Sequence, residues 1–211
     1  MNSSSNKAGE VLMDRFEFEK QASADGYSVI CGVDEAGRGP LAGPVYAAAV
    51  ILPENCDIEG LDDSKKLSEK KRDILFDVIK EKAIAFCVAS ASVEEIEEFN
   101  ILNATFIAMR RAVDGLEPKP DLALVDGNRA PSLDCDVRTI VKGDSKSASI
   151  AAASILAKVS RDRYMLEIDK IVPQYCFAQH KGYGTKLHYE KIREFGVSEY
   201  HRPSFLKTMK W

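Results

Sequence analysis

The sequence predicts an α/β fold with a helical C-terminal region. Three observations carry this: five short apolar or β-branched segments alternate with amphipathic helical stretches, three of those segments lead into acidic residues, and no strand pattern recurs after Pro173. The 211 residues, 45% hydrophobic and 29% charged, suit one globular domain with a small appendage.

Residues 1–26 are expected as a flexible tail that can hold a short helix over 16–25. Positions 1–10 are rich in Ser and Asn and lack the apolar core of a signal peptide. The α/β core is expected over 27–172. A strand over 27–33 runs straight into Asp34 and Glu35. Glycines and prolines between Gly37 and Pro44 then break regular structure, and 45–52, nearly all apolar, reads as a second, central strand. Ser68 is placed to cap a helix ending near Lys82, with Ile74, Leu75, Val78 and Ile79 as its apolar stripe. A third strand spans 84–90. Ser92 and Glu95 have capping-box spacing and open a helix, and a further helix starts near Asn103, with Phe106, Met109 and Val113 on one face and Gly115 at its end. Short strands over 122–125 and 137–141 lead to Asp126 and Asp144. A long helix from Ser145 to Ile171 begins with Ala148, Ala151, Ala152, Ala153, Ser154 and Ala157, a small-residue face suited to lying close against a sheet. Residues 173–211 form the helical region, with a glycine-rich loop over 180–185 and a helix over 187–195.

Composition narrows the function. The longest apolar run, 45–52, falls well short of the ~18–20 residues of a membrane-spanning helix. Five scattered cysteines without a Cys-x-x-Cys pair argue against zinc or a redox dithiol. They suit small buried hydrophobes in a reducing, cytoplasmic compartment. His180, His188 and His201 share no metal-ligand spacing, and no Gly-x-Ser-x-Gly elbow occurs. A net charge of −4 is wrong for a simple nucleic-acid coat protein, so a nucleic-acid partner would require local basic patches beside acidic chemistry.

Asp34, Glu35, Asp126 and Asp144 each stand where a predicted strand stops, the place where sites assemble in α/β sheets. Taken singly, each is also an ordinary turn former, Asp126 before Gly127 most of all. Taken together, converging carboxylates would resist joint ionisation unless a divalent cation sat among them. All-oxygen ligands suit Mg²⁺ or Mn²⁺. Gly37, Arg38 and Gly39 follow at once: either a plain turn, or glycines that let a ligand approach the main chain beside a guanidinium matched to phosphate.

The run DEAGRGPLAGP at 34–44 resembles the signature of the ribonuclease HII family. The resemblance continues through DDSKKL at 62–67, VDG at 125–127, VKGD at 141–144, SIAAASILAKV at 149–159 and HKGYGT at 180–185, and spans about residues 28–205. It implies a ribonuclease H-like mixed five-stranded sheet flanked by helices, with a small C-terminal helical substrate-binding region. It implies Asp34, Glu35, Asp126 and Asp144 as catalytic, metal-binding acids. It assigns Gly37, Arg38 and Gly39 to the ribose 2′-hydroxyl and Tyr183 to the sugar of the following deoxynucleotide. The implied activity is an Mg²⁺- or Mn²⁺-dependent endonuclease on RNA–DNA hybrids, or on DNA duplexes carrying single ribonucleotides, acting as a monomer. The related type 3 enzymes usually carry an N-terminal substrate-binding domain, which the few residues before Tyr27 cannot form.

Lys65, Lys66, Lys146 and Lys181 lie near these motifs and are candidate phosphate contacts; Lys70, Lys71, Lys191 and Arg193 suit a solvated helix face. A metal-dependent phosphotransferase on small nucleotides would use similar acids, but no Walker-type loop supports it. A non-catalytic hybrid-binding module would be marked by missing acids, and all four are present.

Overall fold

The computed structural model describes residues 14–62, 64 and 66–207. Five strands, β1 Ile30–Ala36, β2 Val45–Ile51, β3 Ala85–Ala91, β4 Leu122–Asp126 and β5 Asp136–Ile140, form one sheet in the order β3-β2-β1-β4-β5. β2 is antiparallel to both β1 and β3, whereas β4 runs parallel to β1 and β5 parallel to β4. The mixed five-stranded sheet flanked by helices is therefore present as expected.

Strand alternation explains how the sheet is covered on both faces. Cys31, Val33, Ala47, Ala49 and Ile51 face Ile96, Ala104, Ala108 and Met109 of helix α3, Val93–Asp114. Ala48 and Val50 face Leu75 and Ile79 of α2, Glu69–Lys82, and Ala151, Ala152 and Ile155 of α4, Ala148–Ile171. β2 is thus buried on both sides, as its unbroken apolar run requires. α4 lies almost on the sheet backbone: a Cβ added at Gly32 would sit 2.1 Å from the Ser149 carbonyl carbon. The small residues that open α4 and the missing side chain at Gly32 are two halves of that contact.

The predicted caps form. Ser92 Oγ accepts the Glu95 N–H at 3.2 Å while the Ser92 N–H donates to Glu95 Oε2 at 2.9 Å, an arrangement that typically adds about 1 kcal/mol to a helix. Ser68 accepts the Lys71 N–H. The long helix starts at Ala148 and not at Ser145 as expected, and Ser147, which was not foreseen as a cap, accepts the Ile150 N–H. The two helices expected over 93–114 are joined as one kinked element. Asn100 adopts φ 65° there, and its Oδ1 accepts the N–H groups of Leu102 and Asn103, recapping the second half.

Several expectations need correction. The buried stripe of α2 is Leu75, Phe76 and Ile79, and Ile74 is exposed. Of the cysteines only Cys31 is buried; Cys56, Cys87, Cys135 and Cys176 are half-buried, and all five are free thiols. The tail expected to be flexible over 1–26 is docked over its second half. Helix α1, Glu17–Ala24, buries Ala22, and Glu19 Oε1 accepts hydrogen bonds from the Ser147 hydroxyl and from the Ser149 hydroxyl and N–H, at 2.6–3.0 Å. The rest of that tail, 1–13, lies outside the described residues, as does Trp211.

The C-terminal region is helical: α5 Phe177–His180, α6 Lys186–Phe195 and α7 Pro203–Leu206. Tyr175 and Phe177 pack with Met165 and Ile168 of α4, fixing the region to the end of that helix.

Candidate active site

The expected ends of β1 and β5 differ from those observed, and the difference shapes the site. β1 continues through Asp34 and Glu35 to Ala36, so these two acids belong to the strand itself. Consecutive strand residues point to opposite faces. Asp34 points towards α4, where the Ser154 hydroxyl donates to it, and it also accepts the Glu35 N–H at 2.7 Å. Ser64 and Ser154 are linked through their hydroxyls at 2.9 Å. Glu35 lies on the other side, 3.2 Å from Arg38 Nη1.

Register brings in the third acid. Val33 pairs with Val125 across parallel strands, so Asp34 and Asp126, each one residue further on, lie side by side on neighbouring strands. The fourth arrives by a turn. β5 stops at Ile140, and Asp144 sits in a 3₁₀ turn, Gly143–Ser145, that leads into α4. That turn is tied to β4, because the Gly143 N–H donates to Asp126 Oδ1 at 2.6 Å. The structure thus sets Asp34, Glu35 and Asp126 close together at a rim near the carboxyl ends of β1 and β4, with the turn that carries Asp144 tied to the Asp126 side chain.

The rim carries concentrated negative charge. Asp34 is only 4% exposed and Asp144 5%. Burial, then the nearby charges of Glu35 and Asp126, push the Asp34 carboxyl well above the usual carboxylate range; the hydrogen bonds from Ser154 and Glu35 oppose this only in part. Among the described residues, no three acidic, His or Cys side chains are yet gathered about one point in metal-binding geometry. The donor set nevertheless fits a hard divalent cation, being all carboxylate, with a buried member that two neighbouring charges destabilise as an anion. Asp34, Glu35, Asp126 and Asp144 are the residues that would hold it.

Beside the rim, a cavity of about 330 Å³ is lined by Glu35, Arg38, Asp126, Asn128, Arg129 and the α3 residue Phe106, among others. Gly37, Arg38 and Gly39 follow β1 at its edge. Gly37 is buried at φ +98°, and a Cβ there would lie 2.1 Å from Arg161 Nε, whereas a Cβ on Gly39 would meet nothing within 4 Å. The two glycines therefore serve different needs: Gly37 makes room inside, and Gly39 leaves open space outside.

Tyr183 joins this loop from the C-terminal region. The Leu41 N–H donates to the Gly182 carbonyl at 2.8 Å, and a Cβ at Gly182 would lie 2.6 Å from the Ala42 carbonyl oxygen. The Tyr183 ring is exposed, with Lys158 Nζ and Arg161 Cζ within 5.4 and 5.6 Å of its centroid. The three histidines lie beneath it. His188 Nδ1 meets the Tyr183 carbonyl at 2.9 Å and must donate to it, so His188 Nε2 accepts from His201 Nε2–H at 3.1 Å, and His201 Nδ1 accepts the Ser198 N–H. His180 Nε2 donates to the Tyr175 carbonyl while its Nδ1 accepts the Gly182 N–H. Each ring is neutral with one tautomer set by backbone groups. Burial pushes His188 and His201 down to about 4.

The lysines divide. Lys66 is exposed, 3.6 Å from Asp62, and Lys146 donates to the Val141 carbonyl near the Asp144 turn. Lys181 is turned inward: its ammonium donates to the Ala178 carbonyl, and its side chain is 14% exposed. Lys65 lies outside the described residues. Residues that the sequence did not flag are Asn128, Arg129 and the buried Arg202; Ser64 lies within the 62–67 motif, and Arg161 belongs to a basic cluster with Lys142, Lys146, Lys158 and Arg163 that the sequence offers for phosphate contacts, whereas the structure buries it. Ser154 stood inside a quoted motif but was read there only as a small helix-packing residue.

Comparison with known proteins identifies the family. A family described as Ribonuclease HII matches residues 31–208. The chain is 55% identical over 192 residues to a ribonuclease HII of Clostridioides difficile strain 630, covering 91% of this chain and 75% of the relative. It is 59% identical over 185 residues to that of Vibrio parahaemolyticus serotype O3:K6, covering 88% of each. Among solved structures, the ribonuclease H2 of Pyrococcus horikoshii OT3 is similar at 26% identity with a TM-score of 0.69, over 84% of this chain and 93% of that one. No described helix is long and apolar enough to cross a membrane. The chain belongs to the ribonuclease HII family, metal-dependent endonucleases that degrade RNA paired with DNA.

Proposed function

We propose that the protein also cuts DNA duplexes on the 5′ side of a single embedded ribonucleotide, leaving a 3′-hydroxyl and a 5′-phosphate. Such cutting serves removal of misplaced ribonucleotides and of RNA primers, in the reducing cytoplasm that five free thiols suit. The observation that carries the reading is the meeting of an acid rim with a glycine loop and an exposed tyrosine. The acids at the end of β1 lead directly into the glycine loop, which is hydrogen-bonded to the segment that carries Tyr183.

Asp34, Glu35, Asp126 and Asp144 hold Mg²⁺ or Mn²⁺ in this reading. A pair of cations held there would supply activation of a water and charge stabilisation for the departing 3′ oxygen. The main chain at Gly37, Arg38 and Gly39 senses the 2′-hydroxyl, a group that both donates and accepts. The open space at Gly39 lets a sugar approach the backbone closely. The Tyr183 face covers the next sugar and favours one lacking the hydroxyl. Lys65, Lys66 and Lys146 contribute phosphate attraction, which positions a duplex without reading sequence. Lys181 contributes through its carbonyl, which Arg161 binds. Residues 27–172 act as the catalytic core and 173–211 as the substrate-binding region of a monomer.

The test is a DNA duplex with one ribonucleotide, incubated with Mg²⁺ or Mn²⁺. The expected product is a single cut 5′ of the ribonucleotide, abolished by chelation. Tyr183→Ala should reduce the preference for the RNA-to-DNA junction over continuous RNA by about tenfold, a stacking contribution of 1–3 kcal/mol. Cutting elsewhere, or an unchanged junction preference, would remove the corresponding assignment.

A further inference from the structure

Two guanidinium groups, Arg161 and Arg202, are at 0% exposure, and their hydrogen-bond acceptors are main-chain carbonyls. Arg202 makes four donations to a single loop. Its Nη2 donates to the Gly37 carbonyl at 2.7 Å, Nη1 to those of Arg38 at 3.1 Å and Pro40 at 2.9 Å, and Nε to that of Gly43 at 2.8 Å. Arg161 donates to the carbonyls of Pro44, Ala42 and Lys181 at 3.0–3.2 Å. Burial lowers the basicity of both, Arg202 to about 9. Holding two such charges in the interior is costly, and lysine could not replace the planar fork that spans several carbonyls at once.

The consequence lies on the opposite side of the loop. In a trans peptide the C=O and the following N–H point in opposite directions, and the only cis bond among the described residues is Glu117–Pro118. With the Gly37 and Arg38 carbonyls turned inward to Arg202, the N–H groups of Arg38 and Gly39 are turned outward. Arg38 and Gly39 are exposed, and Gly39 faces open space. Arg161 ties the same loop to the residue two before Tyr183, so the two candidate recognition segments share one buried anchor.

We propose that Arg202 is a positioning residue for ribose recognition: by collecting four carbonyls of the 37–43 loop, it aims the Arg38 and Gly39 amides at the 2′-hydroxyl. This rests on the reading that the glycine loop faces the ribose. Arg202 touches no substrate and acts through the backbone it orients.

The experiment compares binding, in chelator, of two fluorescent DNA duplexes that differ only in one ribonucleotide. In Arg202→Lys the affinity preference for the ribonucleotide duplex should fall about tenfold, the loss expected when hydrogen bonds to a charged group are broken. Affinity for the all-deoxy duplex should be nearly unchanged. Val113→Ala, a core truncation on the α3 face, controls for lost stability and should keep the preference. A preserved preference in Arg202→Lys, or equal losses on both duplexes, would overturn the proposal. If Arg202→Lys does not fold, wild-type hydrogen exchange decides. The Arg38 and Gly39 amides should gain protection with the ribonucleotide duplex and not with the all-deoxy one; equal protection overturns the proposal. A wild type with no preference at all would instead refute the underlying reading of the loop.

Discussion

The acid rim and the glycine loop adjoin one another yet are held by opposite means. At the rim, like charges are crowded, and Asp34 is buried with only two hydrogen bonds to ease its ionised form. At the loop, six donations from two guanidiniums fix the backbone between Gly37 and Pro44 on its inner side, a seventh holds the Lys181 carbonyl, and three neutral histidines brace the tyrosine segment next to it. One region concentrates negative charge; the other has its inward carbonyls held by two buried guanidiniums while its Arg38 and Gly39 amides face outward. Catalytic parts are frequently destabilised and recognition parts rigid, and here the two strategies are separated by three residues of chain.

The largest effect should come from relieving the crowded charge. Asp34→Asn removes a buried charge, so cleavage should fall at least about a thousandfold. In chelator, Tm should rise by about 2–4 °C, equivalent to roughly 1 kcal/mol in a chain of this size. Added Mg²⁺ should raise the Tm of the wild type and leave the variant unmoved. A variant that loses Tm in chelator would show that Asp34 is a structural anchor instead. Differential scanning calorimetry with and without metal separates these outcomes.

The glycines of the loop give a smaller and more graded contrast. Gly37→Ala meets both a positive φ and the Arg161 side chain, and should cost about 2–3 kcal/mol of stability together with activity. Gly39→Ala has open space and an ordinary φ, so its unfolding free energy should stay within about 0.5 kcal/mol of wild type while KM for a ribonucleotide duplex rises. Equal behaviour of the two variants in thermal melts and steady-state kinetics would erase the inner and outer distinction.

How much of this was legible in the sequence depends on the distance over which each feature is encoded. Caps at Ser68 and Ser92, the apolar run of β2 and the small face of α4 rest on local spacing or alternation, and the chain writes them openly. The four acids were legible as strand-end residues and as motif members. Their meeting needed the register of Val33 on Val125 and the bond from Gly143 to Asp126, which no local pattern announces. Asp144 stands four residues beyond its strand, because a 3₁₀ turn intervenes. Arg161 and Arg202 were invisible as interior residues, since arginine is normally a surface residue and their partners are carbonyls remote in sequence. Lys181 looked like a surface cation beside a motif, yet its ammonium closes a local turn.

The smallest expected effect is on pH. His188 and His201, held neutral at about 4 against an ordinary 6.5, contribute stability that is fully present above pH 6.5. It is lost as pH falls from there through about 4, because protonation would set an N–H against an N–H between the rings. Tm should therefore fall over that window in wild type. The fall should be shallower in His188→Asn, whose amide can still reach the Tyr183 carbonyl. Matching pH profiles for the two proteins would remove the histidines from the bracing of the tyrosine loop.

The central claim is that Asp34, Glu35, Asp126 and Asp144 form one cation site. Crystals soaked in Mn²⁺ and measured at the manganese absorption edge test it most directly. Anomalous peaks within ligand distance of these carboxylates are predicted, together with their loss in Asp34→Asn. Peaks bound elsewhere, or none at the rim under saturating metal, would contradict it.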